Sequence, residues 1–197
     1  PADFLQAPVN PITGTHFENA KTTKMVHISE FTADLIKHDK LELDPSRNDN
    51  LKVTYHDSCN PSRGMGMFEE PRYVINSVCN YFYEMPRNTI REQTFCCGSG
   101  SGLNAGENIE LRMVGGFPRA NAVKHVHEKY GVNMLSCVCA VDRAALPTLM
   151  EYWVPEVDVT GVTELVGNAL LLPGEQERTT DLRGESLPGM EEDDGEE

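Results

Sequence analysis

Basic residues are scarce in this sequence of 197 residues. It contains 17 Lys and Arg against 31 Asp and Glu, which gives a net charge of −14. Nucleic acids and anionic membrane surfaces are bound by clustered cations, so the composition argues against both partners. Long apolar runs are also missing, because no segment approaches the roughly 20 residues of a membrane-spanning helix. We therefore expect a globular domain with no direct membrane span.

The amino terminus lacks both an initiating Met and a basic-then-apolar signal pattern. This absence predicts that Pro1 lies inside a longer polypeptide.

Cysteine is too sparse for a disulfide-built secreted scaffold, since there are six in the whole chain. Cys59 and Cys79 are single, Cys96 and Cys97 are adjacent, and Cys137 and Cys139 are separated by one residue. Adjacent cysteines are poor partners for each other in a disulfide because the geometry is strained. Close-set cysteines with a third far upstream favour metal ligation or redox chemistry.

A dinucleotide-binding loop is not indicated either. The segment Gly98-x-Gly100-x-Gly102 follows an apolar stretch but lacks the G-x-G-x-x-G spacing. Adjacent thiolates at Cys96 and Cys97 can instead bridge or ligate neighbouring irons of a cluster. Gly98 and Gly100 would let backbone amides approach the sulfurs, and such hydrogen bonds tune a cluster's potential.

Composition divides the chain into three parts. We expect residues 1–23 to form an irregular lead-in and residues 24–172 to form the folded domain. Residues 173–197 end in the acidic run Glu191–Glu197 and offer little to bury. Such a composition cannot offset the entropy of ordering, so we expect a disordered acidic tail.

Short apolar runs alternate with helical patterns inside the folded part. The predicted strands are 24–28, 51–56, 93–96, 132–137 and 157–159. Of the predicted helices, the first is capped by Ser29 and the second begins at Pro71. A third, around 109–113, is predicted to break at Gly115-Gly116 and to restart at Pro118. Two more carry Leu146 to Trp153 and residues 162–170. This alternation predicts an α/β fold, with a parallel sheet and helices on both faces.

The cysteines follow the predicted strands. Cys59, Cys96-Cys97 and Cys137/Cys139 lie at or just past the carboxyl ends of three of them. In an open α/β sheet those ends share one edge, where ligands bind, so the fold would gather distant cysteines into one crevice. Cys79 differs, because it lies on the apolar stripe of its helix and is predicted to be a core thiol.

Three further residues have two interpretations each. Asp142 is either the N-cap of the helix after Cys139 or an oxygen ligand or local base. His56 is either a hydrogen-bonding strand residue or, with Cys59, part of a zinc site. Cys137 would share a face with Cys139 in strand geometry, whereas a turning chain would place Cys139 nearest the next helix amino terminus, which favours a thiolate.

The full pattern resembles the cysteine-rich CCG domain of heterodisulfide reductase catalytic subunits. The family has a lone Cys, a long gap, Cys-Cys-Gly, another long gap and Cys-x-x-Cys. The flanking segments Tyr55–Asn60, Thr94–Gly98 and Glu110–Arg112 look closest to DsrK-type iron–sulfur subunits of the sulfite-metabolism membrane complex DsrMKJOP. The resemblance spans roughly Met25 to Leu171 and is most specific at Cys-Cys-Gly.

The resemblance implies a noncubane [4Fe-4S] cluster that reduces or forms disulfide-type bonds. Its implied ligands, which act in catalysis through the cluster, are Cys59, Cys96, Cys97 and Cys139. It also implies a DsrC-like sulfur-carrier protein as partner, membrane subunits of a DsrMKJOP-like complex, and a cytoplasmic location peripheral to the inner membrane. A ferredoxin-type domain, absent from this sequence, would lie upstream of Pro1.

One departure from the family matters. The last motif reads Cys139-x-x-Asp142 instead of Cys-x-x-Cys, and Cys137 is an additional nearby thiol. Asp142 and Cys137 are therefore further candidates for completing the site. The alternatives are a non-catalytic zinc-binding or degenerate docking module and a cluster-free thiol redox protein.

Overall fold

A small parallel sheet forms the centre of the computed structural model, which describes residues 25–100, 102–103 and 106–174. Its strands are β1 (Val53–Tyr55), β2 (Met134–Cys137) and β3 (Asp158–Gly161), in the order β1-β2-β3. Tyr55 is in register with Ser136, which is in register with Thr160. The strands at 51–56, 132–137 and 157–159 are thereby confirmed, with small differences at their ends.

Within the described residues, five α-helices pack around the sheet. They are α1 (Ile28–Lys37), α2 (Glu69–Val78), α3 (Ile109–Tyr130), α4 (Ala140–Trp153) and α5 (Val162–Ala169). Short 3-10 turns lie at Pro45–Asn48, Arg87–Thr89, Arg91–Gln93 and Gly106–Asn108, and a π-helical turn lies at Asn60–Gly64.

The core divides at the sheet because neighbouring strand residues point to opposite faces. In β2, Met134 packs with α2 and α5, whereas Leu135 packs with α3 and α4. Helices therefore lie on both faces, and the predicted α/β class is confirmed. None of the helices in the described ranges combines the length and apolar character needed to cross a bilayer.

The first predicted strand is wrong. Residues 25–27 are irregular and α1 begins at Ile28, with His27 rather than Ser29 as its N-cap. His27 Nδ1 accepts a hydrogen bond from the Ser29 amide at 3.1 Å, and the His27 amide donates to Glu30 Oε2 at 2.9 Å. This reciprocal pair satisfies amides that would otherwise lack partners at the start of the helix.

The predicted strand at 93–96 is also wrong. Arg91–Gln93 is a 3-10 turn, and the Thr94 amide closes it by donating to Arg91 O at 3.1 Å. The Thr94 hydroxyl donates to Asp57 O at 2.9 Å, so this segment is joined to the sheet edge by a side chain. The cysteines that follow still reach that edge, although no strand in the described residues leads into them.

The predicted break at Gly115-Gly116 does not occur, and α3 runs unbroken to Tyr130 with Pro118 inside it. A side-chain carbon at Gly116 would meet Leu149 Cδ1 at 2.7 Å and Cys97 O at 3.1 Å. Gly116 therefore permits close packing instead of ending the helix. Pro118 removes only the hydrogen bond to the carbonyl of Val114, an exposed residue where water can replace it.

Cys79 follows the last residue of α2 and is buried in the core, which confirms the predicted core thiol. Burial raises the pKa of this thiol to about 12, and the nearby Asp49 adds to the effect. The predicted lead-in over 1–23 lies outside the described residues, as does the predicted tail from residue 175 onwards. Both stay predictions.

Candidate functional site

Three chain segments meet at the carboxyl edge of the sheet. They are His56–Cys59 after β1, the loop Thr94–Gly98, and the turn Cys137–Asp142 from β2 into α4. The first and last meet because β1 and β2 are parallel neighbours, and the His56 amide continues their ladder by donating to Ser136 O at 2.8 Å. The loop is joined to the first segment through the hydrogen bond from Thr94 to Asp57.

Asp57, in the segment after β1, forms several buried hydrogen bonds beside the site. Its carboxylate accepts two hydrogen bonds from Arg72, at 2.7 and 2.8 Å, and one from the Arg91 amide at 2.8 Å. Arg72 also pairs with Glu84. Asp57 is completely buried, so breaking the pair with Arg72 would cost about 3–5 kcal/mol. The carboxylate of Asp57 thus holds the turn that begins at Arg91 and leads into the loop, while its backbone carbonyl holds Thr94, a role that no local sequence pattern indicated.

Asp142 lies where the three segments converge. It is the third residue of α4, whose N-cap is Cys139, so the N-cap interpretation of Asp142 is wrong. The carboxylate is buried, and its Oδ2 lies 3.5 Å from His56 Nε2, which is buried as well. Ser58 and Cys97 lie near this carboxylate and favour its charged form. Asp142 thus faces residues from both of the other segments.

The two partners favour a charged carboxylate and a neutral imidazole. Burial opposes ionisation of Asp142, but His56, Ser58 and Cys97 more than offset this effect and hold the pKa of Asp142 below its ordinary value. Burial dominates for His56 and lowers its pKa, with Asp142 opposing. A neutral imidazole that carried its proton at Nε2 would direct it at Asp142.

The adjacent cysteines have different surroundings. Cys96 is exposed, and its Sγ accepts a hydrogen bond from the Gly98 amide at 3.3 Å. Cys97 is buried, and burial together with the Asp142 carboxylate raises the pKa of its thiol to about 12. Gly98 adopts φ +84°, a conformation that glycine accepts and other residues rarely do. Gly100 is exposed and has open space around it.

The remaining thiols lie at different depths. Cys59 is exposed beside the π-helical turn, and Cys139 is half-buried at the amino terminus of α4. Cys137 is completely buried in the core beneath α3 and α4, with its Sγ 3.8 Å from Thr160 O. Burial raises the pKa of Cys137 well above its ordinary value, and the nearby Asp142 charge contributes.

Several buried polar atoms at this edge have no hydrogen-bond partner within the described ranges. They are His56 Nδ1, Ser58 Oγ, Ser99 Oγ, Ser136 Oγ and Asp142 Oδ2. Buried polar atoms are normally paired, so such a group indicates a place where a polar partner binds. The same ranges contain no set of three or more His, Cys, Asp or Glu side chains already arranged around a metal ion.

Sequence comparison finds relatives among known proteins, and two of them carry the same kind of name. An Hdr-like menaquinol oxidoreductase iron–sulfur subunit of Archaeoglobus profundus is 53% identical over 163 residues, which are 81% of this chain and 29% of the relative. A second iron–sulfur subunit of the same type, from Archaeoglobus fulgidus, is 52% identical over 166 residues, or 82% of this chain and 30% of the relative.

A more distant relative belongs to the dihydromethanophenazine:CoB–CoM heterodisulfide reductase of Methanosarcina acetivorans. This polypeptide of the reductase is 34% identical over 151 residues, which are 75% of this chain and 34% of the relative. No protein-family model matches the chain, and no solved structure matches it significantly. The chain is thus related to the heterodisulfide-reductase-like iron–sulfur proteins, and it spans about a third or less of the length of these relatives.

Proposed function

We propose that this chain binds an iron–sulfur cluster and is the part of a larger oxidoreductase that reduces or forms disulfide- or trisulfide-type bonds. The proposed ligands are Cys59, Cys96, Cys97 and Cys139, and the proposed cofactor is a noncubane [4Fe-4S] cluster. The observation that carries the proposal is the convergence of three cysteine-bearing segments at one sheet edge. The iron–sulfur names of the two Archaeoglobus relatives support it.

The chemistry of the donor set fits such a cluster. Thiolates are the soft ligands that iron–sulfur clusters use. The Gly98 amide already donates to Cys96 Sγ, and hydrogen bonds to ligand sulfur are a recognised influence on cluster potential. The hydroxyl of Ser99, which has no partner among the described residues, directly follows this loop and offers a further polar contact.

The position of each remaining candidate supports a different role. Cys139 at the helix amino terminus is favoured as a ligand over Cys137, because an amino terminus stabilises thiolate while the apolar core opposes it. Asp142 is a harder and weaker ligand for iron than sulfur, and its contacts support a role in holding charge beside Cys97. Gly98 shapes the loop, whereas Gly100 has open space around it and could approach a bound group.

The proposed reaction requires two electrons and two protons for each disulfide, which is converted to two thiols. When bound, the cluster would supply the electrons one at a time. The residues of the chain would hold the cluster at the sheet edge, where a substrate can reach the exposed Cys59 and Cys96. His56 lies in the same site, with its Nε2 facing Asp142.

The partners of the reaction are also part of the proposal. A DsrC-like sulfur-carrier protein would present the sulfur substrate in dissimilatory sulfur metabolism, and membrane subunits of a DsrMKJOP-like complex would deliver electrons at the cytoplasmic side of the inner membrane. Because two relatives are named as menaquinol oxidoreductase subunits, we propose reduced menaquinone as the source of these electrons.

The activity can be tested with the chain reconstituted with iron and sulfide under anaerobic conditions. A reduced viologen dye would supply electrons, and bleaching of the dye on addition of a small-molecule disulfide or trisulfide would report turnover. We expect turnover by the wild-type chain and none by Cys96→Ser prepared in parallel. Equal rates for the two proteins would contradict the proposal.

A further inference from the structure

Arg119 is a completely buried cation beneath the loop that carries Cys96 and Cys97. Its Nη2 donates to Thr89 O at 2.6 Å and to Thr94 Oγ1 at 2.9 Å, and its Nη1 lies 2.9 Å from the Met85 sulfur. All of these acceptors are neutral.

The charge of Arg119 is not balanced by a close carboxylate. Within the described part of the chain, no Asp or Glu oxygen lies within 4 Å of it, whereas the buried Arg72 pairs with both Asp57 and Glu84. Burial lowers the pKa of Arg119 to about 10, and the more distant Asp57 and Asp142 offset this effect only in part. The side chain is still charged at neutral pH, and an unpaired buried charge is costly unless something compensates it.

The guanidinium of Arg119 lies beside the residue that precedes the adjacent cysteines. Its carbon lies 5.9 Å from the centre of the Phe95 ring, and its Nη2 lies 3.5 Å from Phe95 O. Phe95 directly precedes Cys96, and the charge of a Cys97 thiolate is among those that act on Arg119. The buried cation is therefore fixed against the residue that directly precedes the two adjacent cysteines, close enough for a Cys97 thiolate to act on it.

We propose that Arg119 is a positioning residue whose fixed positive charge raises the reduction potential of the group bound by Cys96 and Cys97. This inference rests on the proposed iron–sulfur function. Each added electron makes a thiolate-ligated cluster more negative, and a nearby cation in a medium of low dielectric stabilises the more negative state. The same anionic group would compensate the buried charge of Arg119.

A purely structural role would be to tie Thr89 to Thr94, and the test must separate the two roles. The reconstituted chain is titrated with reductants under anaerobic conditions, and its midpoint potential is followed by EPR. Arg119→Gln removes the charge and keeps part of the hydrogen bonding, whereas Arg119→Lys keeps the charge. We expect Arg119→Gln to lower the midpoint potential by about 59 mV or more, which corresponds to a tenfold change in the reduction equilibrium constant of a one-electron couple. The potential of Arg119→Lys should stay close to that of the wild type.

A second pair of variants leaves Arg119 in place, in case its removal prevents folding. Met85→Glu would put a carboxylate beside the guanidinium, and Met85→Gln is the neutral control of equal size. We expect Met85→Glu to lower the potential relative to Met85→Gln, since a local ion pair cancels the cation.

Equal potentials within either folded pair would overturn the role of Arg119 while leaving the proposed function intact. A wild-type chain that binds no iron would overturn the proposed function, and this inference with it.

Discussion

Gly98 lies against the backbone of α3 so closely that a side-chain carbon there would be 3.0 Å from the amide nitrogen of Gly116 and 2.6 Å from Arg112 O. Both contacts are with backbone atoms, which cannot move aside without displacing the helix. The Cys-Cys-Gly loop is therefore held in place by the helix beneath it.

Gly98→Ala is expected to destabilise the protein by about 1–3 kcal/mol, because a side chain at φ +84° is strained and meets the helix backbone. Gly100→Ala is the matched control, since nothing lies within 4 Å of its added carbon. Urea unfolding gives the free energy of unfolding of the wild type and of both variants. Equal losses in the two variants would show that the close approach of the loop to α3 does not govern stability.

Cys96→Ser and Cys97→Ser are each expected to abolish iron binding, whereas Cys79→Ala should retain it. The first two changes remove proposed ligands, while the third opens a small core cavity that costs about 1–2 kcal/mol. Iron content after anaerobic reconstitution is the measurement, with circular dichroism as the control for folding. Similar iron loss in all three folded variants would refute this division of roles.

Cys139→Ser is expected to lose the cluster, and Cys137→Ser to keep it. Cys139 is half-buried at the amino terminus of α4, whereas Cys137 is enclosed by the core. Iron content and the EPR signal of each variant decide between them. If Cys137→Ser loses the cluster while Cys139→Ser keeps it, Cys137 is the ligand instead of Cys139, and β2 must bend at its end.

The cluster-free protein is expected to lose stability as the pH falls from 7.5 to 5.5. The folded state keeps His56 neutral with a pKa below its ordinary value of 6.5, so the unfolded chain takes up the proton first. The contribution of His56 to the free energy of unfolding is fully present above about pH 6.5. It is lost as the pH falls towards the lower pKa of the folded state, by up to about 1.4 kcal/mol per pH unit.

The test compares the wild type with His56→Gln, so that contributions common to both proteins cancel. Urea unfolding at the two pH values should show a smaller loss of free energy for the variant. A variant that loses as much stability as the wild type would show that His56 is not the residue responsible.

Local sequence patterns predicted three strands of the sheet and most of the helices, since apolar periodicity reports directly on which side of an element is buried. They failed where a distant contact decides the local structure. The segment at 93–96 is not a strand because Thr94 bonds to Asp57, which lies 37 positions away. The Gly115-Gly116 pair predicts a helix break, but Gly116 lies against Cys97 and Leu149, a contact that neighbouring residues do not reveal.

The candidate site was predicted in part for the same reason. Cysteine positions relative to strand ends indicated one crevice, because parallel strands share an edge. The buried charges around it were missed, since Asp57, Arg72 and Arg119 are residue types that usually remain in water. Only their partners in the folded chain explain why they are buried.

The central claim is that these thiols hold an iron–sulfur cluster, and its most direct test is iron and acid-labile sulfide analysis of the anaerobically prepared chain, with EPR of the oxidised protein. The account predicts a brown protein with about four irons and about four sulfides per chain and an EPR signal that Cys96→Ser lacks. A colourless protein that contains zinc, or one that contains no metal, would contradict it.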